Sequence, residues 1–375
     1  MRRFPSRRSR SPQPNETRHM NRAISLTLAP LGGLYGVVTR ARRALYRSGR
    51  LHVFELGVPV ISVGNLTMGG TGKTPLVEWI ANELAQMGRR VCILTRGYGR
   101  RSSGTRIIVS NGNEILSDAN RAGDEPLLLA ERLKGLAAVV CDADRVSAAT
   151  WAVENFKSDV FVLDDGFQHL RVARDLNILT IDATNPWGNG KLLPAGILRE
   201  PLAELTRAEC IVITRADDPN LTAQLQREIA AQSKDCPVFC SRMRLSGLRP
   251  IQKEVRSLVT AEEIKASPVA AFCGVGNPES FFSQLRRGGY QLGHTEVFRD
   301  HHIYTQGDID RIVRESVTRG AQVLLTTAKD GVKLRSLKFD LPCYAADIAI
   351  EIENQEKLSA VIEAAIRNTK EYRTL

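Results

Sequence analysis

The sequence predicts an α/β protein: a parallel sheet flanked by helices, followed by a second, smaller α/β domain. Three observations lead there. A β-branched run at 58–63 passes through a glycine-rich loop into a stretch of helical periodicity. A second apolar run, starting at Asp159, ends in the adjacent carboxylates Asp164 and Asp165. Short apolar runs then recur between helical patterns, at 58–63, 90–95, 137–141, 160–164, 177–182 and 210–214, an alternation that argues for crossover connections between parallel strands.

The first element carries the most specific signal. After the strand comes Gly64-Asn-Leu-Thr-Met-Gly-Gly-Thr-Gly-Lys-Thr74, and then a helix opening at Pro75 and closing before Gly88. Strand, glycine loop and helix in this order identify a phosphate loop and make the predicted sheet P-loop NTPase-like. Glycines let backbone N–H groups turn toward phosphate oxygens, and the helix start adds a positive dipole. Thr67, Gly69, Gly70, Thr71, Gly72, Lys73 and Thr74 are the expected nucleotide-binding residues. Lys73 should reach the β- and γ-phosphates of ATP, and the Thr74 hydroxyl should reach Mg²⁺. Thr67 stands where the strict motif has glycine.

The acidic strand supplies the complement. A carboxylate at the carboxyl end of a strand beside a phosphate loop can hold Mg²⁺ directly or through water, which makes Asp164 and Asp165 metal candidates. If the strand continued, the two would face opposite sides, so only one need face the metal.

Charge limits the partners. The net charge of +11 is accounted for by residues 1–50, which hold twelve arginines and a single acid, Glu16. The remaining chain sums to zero, which argues against a nucleic-acid groove on the folded body. Residues 1–22 read as a disordered basic tail. Residues 23–50 read as an amphipathic helix starting near Pro30, with Leu31, Leu34, Val38 and Leu45 at helical spacing and arginines beside them. Such a helix suits an anionic membrane interface; a helix packed on the domain with solvated arginines accounts for the same residues. Its uncharged stretch is interrupted by Pro30, Gly32, Gly33 and Gly36 and is marginal for a membrane span. The seven cysteines are scattered and form no metal-ligand pattern.

Taken together, Asp164-Asp-Gly-Phe-Gln-His169, Leu192-Leu-Pro-Ala-Gly-Ile-Leu-Arg-Glu-Pro201, Cys273-Gly-Val-Gly-Asn-Pro278 and Phe298-Arg-Asp-His301 resemble the tetraacyldisaccharide 4'-kinases of lipid A biosynthesis. The similarity runs from about residue 25 to about residue 335. That family's phosphate loop also lacks the first glycine. The resemblance implies transfer of the γ-phosphate of ATP to the 4'-hydroxyl of an acylated disaccharide 1-phosphate, by a protein attached to the cytoplasmic face of a bacterial inner membrane. It implies Asp124 as catalytic base, His301 as the histidine paired with it, and Lys73 and Thr74 as ATP and Mg²⁺ residues. It also implies Asp164, Asp165, Gln168, Arg199 and Glu200 as residues lining the site. Where the family has Thr-Thr-Glu-Lys-Asp, this chain has Thr326-Thr-Ala-Lys-Asp330, so Ala328 replaces an acid.

From its own surroundings, Asp124 also fits a plain helix N-cap before the apolar Pro126–Leu133 stretch, and His301 a surface loop. The Arg96–Arg101 run after the second strand is placed to contact phosphate or sugar. The expected organisation is a kinase core at 51–235, a linker at 236–267 and the smaller α/β domain at 268–375, whose last helix is free to return to the core; a monomer is expected. A GTPase or ATPase switch, or an assembly factor, is the competing reading, with Thr214-Arg-Ala-Asp217 as its base-recognition loop.

Overall fold

The computed structural model describes residues 27–97, 105–252 and 260–371, the last four by their backbone alone. The basic tail, residues 98–101 of the Arg96–Arg101 run and residues 253–259 of the expected linker lie outside them.

The described residues form a twelve-stranded sheet. In its first half β1 (Val60–Gly64) lies between β5 (Val160–Asp164) and β6 (Leu176–Asp182). Beyond β5 come β2 (Val91–Thr95), β4 (Ala137–Cys141) and the antiparallel edge strand β3 (Ile107–Ser110); beyond β6 comes β7 (Cys210–Thr214). Every residue of β1, β2, β4, β5, β6 and β7 is buried, as expected for parallel strands covered on both faces. Alternate residues feed different cores. Ile61, Ile93, Val139 and Val162 pack with helices α2 (Lys73–Gln86) and α4 (Asp124–Arg132). Val60, Cys92, Val140 and Phe161 pack with α5 (Arg145–Phe156) on the other face. The short helix α3 (Ala119–Ala122) leads into α4.

The chain runs from β1 outward through β2 to one side and, after β5, from β6 through β7 to the other. The carboxyl ends of β1 and β5 therefore flank a reversal of strand order, where open α/β sheets bind ligands.

After α6 (Pro219–Gln232), the segment read as a linker forms one long strand, β8 (Val238–Pro250). Val238–Cys240 pair in parallel with β7, and Ser241–Pro250 pair antiparallel with β12 (Cys343–Ile352). The sheet thus continues into a second half built from β12, β11 (Val323–Thr327), β9 (Val269–Cys273) and β10 (Leu292–Val297), which are parallel to one another. Helices α7 (Ala261–Lys265), α8 (Pro278–Arg287), α9 (Gln306–Thr318) and α10 (Ala328–Leu334) accompany these strands. The final helix α11 (Gln355–Glu371) crosses back: Leu358, Ile362 and Ile366 share a core with Leu76, Val77 and Ile80 of α2. Arg132 on α4 also pairs with Asp347 on β12, at 2.8 Å.

Helix α1 (Ala29–Arg47) lies on the first half through its small residues. Gly32 and Gly36 are its buried positions; a Cβ on Gly36 would stand 2.6 Å from a Leu192 methyl. Leu31, Leu34, Val37 and Val38 are each more than half exposed. Arg43 reaches the other way and ion-pairs with Glu204 in the 3₁₀ turn Leu202–Arg207. No described helix is long and apolar enough to cross a membrane.

Candidate active site

The phosphate loop leaves β1 at Gly64. A Cβ there would meet the Phe167 backbone N at 2.6 Å, so only glycine lets the loop and the Asp-Gly-Phe-Gln turn pack this closely. Gly72, at φ +77°, caps α2 in the left-handed region that favours glycine. Gly69 and Gly70 are exposed, and no side chain fills the space beside them. Thr67 is buried and bridges to Leu198, which ties the loop to the 192–200 segment rather than opening it to a ligand. The Thr71 hydroxyl lies 2.9 Å from that of Thr180, and Thr214 donates to the Thr71 carbonyl, so strands β6 and β7 brace the loop from below.

Lys73 points back across the loop. Its ammonium donates to Asn65 Oδ1 at 3.1 Å and pairs with Asp165 at 3.4 Å. Asp165 stands just past the end of β5 at φ +52°, so the turn, not strand alternation, sets where it faces. It also takes Arg199 at 2.8 Å. Burial opposes its ionisation, but Lys73 and Arg199 outweigh that and hold the carboxyl below its usual range. Asp164 differs. It accepts from the Thr95 hydroxyl at 3.1 Å, and burial, with Glu125 and Asp165 as like charges, pushes its carboxyl up to about 6.

That rise predicts a stability effect with a definite sign. The native state keeps the Asp164 proton up to about pH 6, whereas the unfolded chain releases it near 3.8. Folding is therefore penalised progressively as pH rises through that window, by about 3 kcal/mol above it. Asp164→Asn keeps an acceptor for Thr95 and removes the charge. It is expected to raise the melting temperature of the ligand-free protein at pH 8 by several degrees and to leave it nearly unchanged at pH 4; calorimetry at both pH values checks this, and an equal shift at both would refute it.

Gln168, Arg199 and Glu200 form the neighbouring wall. Gln168 donates to the Asn65 carbonyl at 2.9 Å and to Glu200 at 3.3 Å, and Glu200 pairs with Arg207. Behind them, burial and the surrounding Arg145, Arg174, Arg171 and Arg42 depress the His169 imidazole to about 4. Arg145 is 4% exposed, and among the described residues its Nε has no hydrogen-bond partner. This concentration of positive charge around the buried Arg145 escaped the sequence because its members come from α5, the post-β5 turn and α1.

Asp124 and His301 meet across the two halves. Asp124 is the first residue of α4; the N-cap is Gly123, so the plain cap reading does not describe it. One carboxylate oxygen accepts from the Glu125 N–H, and the other lies 3.1 Å from His301 Nδ1. Burial disfavours the Asp124 anion, but His301, Lys329 and Lys333 together hold its carboxyl below the ordinary range. The His301 imidazole is pushed up, chiefly by its bond to Asp124. Lys329 and Lys333 come from α10, which opens at Ala328, a residue buried against the first-half core. The sequence contained Lys329 in its Ala-Lys-Asp run and Lys333 one helical turn on, but nothing in their spacing linked them to Asp124, some 200 residues away. Asp330, fully buried, accepts from the Gly274 N–H at 2.9 Å and fixes the turn after β9. The next glycine of that turn, Gly276, faces the phosphate loop: a Cβ on it would stand 3.6 Å from the Gly70 nitrogen.

Arg215, in the run proposed as a base-recognition loop, bridges the halves. It donates to the Gly70 carbonyl and to Ser280, both at 2.9 Å, and pairs with Asp182. With Asp217, Thr184 and Arg287 it borders a cavity of about 160 Å³.

A glycine-capped phosphate loop at a reversal of strand order, with a lysine inside it and acids at the next strand's end, defines a nucleotide-dependent phosphoryl-transfer enzyme of the P-loop class. The comparisons take this further. Residues 24–367 match the family model described as tetraacyldisaccharide-1-P 4'-kinase. A tetraacyldisaccharide 4'-kinase of Desulfotalea psychrophila is 42% identical over 321 residues, 84% of this chain and 90% of that one. Another, from Geobacter metallireducens, is 39% identical over 348 residues, 92% and 100% of the two chains. The crystal structure of the "apo" form of LpxK from Aquifex aeolicus in complex with ATP superposes with a TM-score of 0.72 at 33% identity, over 92% of this chain and 99% of that one. The chain belongs to the tetraacyldisaccharide-1-P 4'-kinase family.

Proposed function

We propose that this chain transfers the γ-phosphate of ATP to the 4'-hydroxyl of tetraacyldisaccharide 1-phosphate. The observation that carries this reading is the Asp124–His301 pair. A buried carboxylate, kept ionised, stands at the helix start whose next residue, Glu125, already acts on Asp164 beside the phosphate loop. As the sugar oxygen bonds to the γ-phosphorus, the bond to the ADP oxygen breaks and the hydroxyl proton passes to Asp124. Lys73 and Arg199 are placed to offset charge on the transferring group; to reach it, Lys73 exchanges Asp165 for phosphate. Arg215, by tying the loop to α8, helps keep water from the phosphate.

Thr74, Asp164 and Asp165 offer only hard oxygen donors, which fits Mg²⁺. Asp165 is already paired with two cations, whereas Asp164, whose anion burial and its acidic neighbours disfavour, has most to gain from a further cation. Asp164 and Thr74 are therefore the residues that would hold the ion, which supplies charge neutralisation to the phosphates when bound.

The arginines gathered around the neutral His169, Arg145, Arg174, Arg171 and Arg42, suit the 1-phosphate of the acceptor, while Gln168 and Glu200 stand between this cluster and the loop. Arg42 lies on α1, whose exposed Leu31, Leu34, Val37 and Val38 form a face suited to a lipid surface. This arrangement supports attachment to the surface of the inner membrane, with the α1 arginines Arg40, Arg42 and Arg47 beside anionic headgroups.

The test is a mixed-micelle assay with the purified chain, Mg-ATP labelled in the γ-position and the disaccharide 1-phosphate. Labelled lipid is the expected product. ATP hydrolysis of equal rate with and without acceptor, and no labelled lipid, would favour the nucleotide-switch reading instead.

A further inference from the structure

Lys329 helps to keep Asp124 ionised, and its ammonium also touches the histidine paired with that base. Its ammonium, from the first turn of α10, lies 3.3 Å from His301 Nε2, 2.9 Å from Glu125 and 3.3 Å from Asp300. The other ring nitrogen, Nδ1, faces Asp124. The backbone at His301 is held at φ +59° with its N–H directed at Gly274 O and Asp300 Oδ1, which fixes where the imidazole leaves the chain.

An ammonium is a donor only. At hydrogen-bond distance from Nε2 it requires a lone pair there, which leaves the single imidazole proton on Nδ1, pointing at the Asp124 carboxylate. We propose that Lys329 is a positioning residue that fixes His301 as the neutral Nδ1–H tautomer, so that Asp124 is oriented by a hydrogen bond without being paired to a full imidazolium. The inference rests on the reading of Asp124 as base. It matters because a carboxylate facing an imidazolium is a weaker proton acceptor than one facing a neutral ring. Two tendencies meet at His301: Asp124 and Asp300 favour the charged ring and leave its pKa raised, while burial and Lys329 oppose them. The remaining charged or titratable groups around it are Glu125 on α4, Asp300 (3.9 Å from Nε2) and His302 (3.2 Å from Asp308) on its own loop, and Lys333 with Asp330 (2.9 Å apart) on α10. Lys329 is the only described one of these cations that touches Nε2, and Lys333 approaches the pair from the Asp124 side, at 3.7 Å.

The test begins on the unmodified protein. With ¹⁵N-labelled histidine and His301→Gln to assign its signals, a two-bond ¹H–¹⁵N correlation at pH 7.5 is expected to show His301 neutral and protonated at Nδ1. An Nε2–H tautomer or an imidazolium at that pH would overturn the proposal without any variant at Lys329. In Lys329→Met the cation is gone, His301 charges more readily, and the acid limb of the kcat–pH profile is expected to move up by about one unit, roughly a tenfold loss on that limb. Lys329→Arg, which keeps both charge and donor, should return the limb toward its original position and serves if the methionine variant does not fold. A folded methionine variant with an unmoved limb would also sink the idea. The spectrum does not depend on turnover, so full activity in Asp124→Asn would remove the base assignment while leaving the tautomer result to be judged separately.

Discussion

Asp124→Asn is expected to lower kcat by about 10²–10⁴-fold, the usual contribution of a positioned general base, with little change in the KM for ATP. The amide is nearly isosteric and retains an oxygen for the Glu125 N–H, so the start of α4 should survive. What it loses is the ability to accept a proton, together with the negative charge that Lys329, Lys333 and His301 surround. The variant should therefore bind both substrates and fail at the chemical step. Steady-state kinetics with both substrates varied, alongside a melting curve, checks this. Turnover close to that of the unmodified protein would require another group to take the hydroxyl proton.

Lys73→Met is expected to lower kcat/KM for ATP by about 10²–10³-fold, the scale found when one donor to a developing anion is removed. Its signature differs from that of Asp124→Asn. Lys73 is placed to contact phosphate in the ground state and in the transition state, so both KM and kcat should suffer. The side chain is held in waiting by Asn65 and Asp165, and removing it leaves the Asp165 carboxylate with Arg199 alone. Isothermal titration with a non-hydrolysable ATP analogue separates the two effects: unchanged nucleotide affinity would show that Lys73 acts elsewhere.

The first half of the fold was legible because its signals are local. The strands at 137–141 and 160–164 lie where the apolar runs placed them, since a strand buried on both faces has to be apolar throughout. The phosphate loop was legible because close backbone approach demands glycine at fixed spacing. The 236–267 segment was harder: β8 exposes one side along its second part, so Arg242, Arg244 and Arg249, which pair with acids on and around β12, disguise a strand as a basic connection. The strand at Leu292–Val297 went unread for a similar reason, its Gly293, His294 and Glu296 giving no β-rich run.

The site followed the same division. Lys73, Asp164 and Asp165 could be read from chemistry at the ends of predicted strands. Asp124 and His301 could be named only through resemblance, because what makes them a pair is a contact between residues 177 positions apart. Asn65, Arg145 and Lys329 carried no signal of their own: each acts through a neighbour supplied by tertiary structure, and an isolated arginine or lysine is most often a solvated surface charge.

The partner exchange in β8 has a mechanical consequence. Since Cys240 still pairs with β7 while Ser241 already pairs with β12, there is no slack segment between the nucleotide-gripping half and the half that brings His301. Swinging one against the other twists a hydrogen-bonded ribbon, and α11, strapped across α2, resists the same rotation. The connection is that of a sprung clip rather than of two bodies on a tether: any spreading of the halves strains the same ribbon that carries His301 against Asp124.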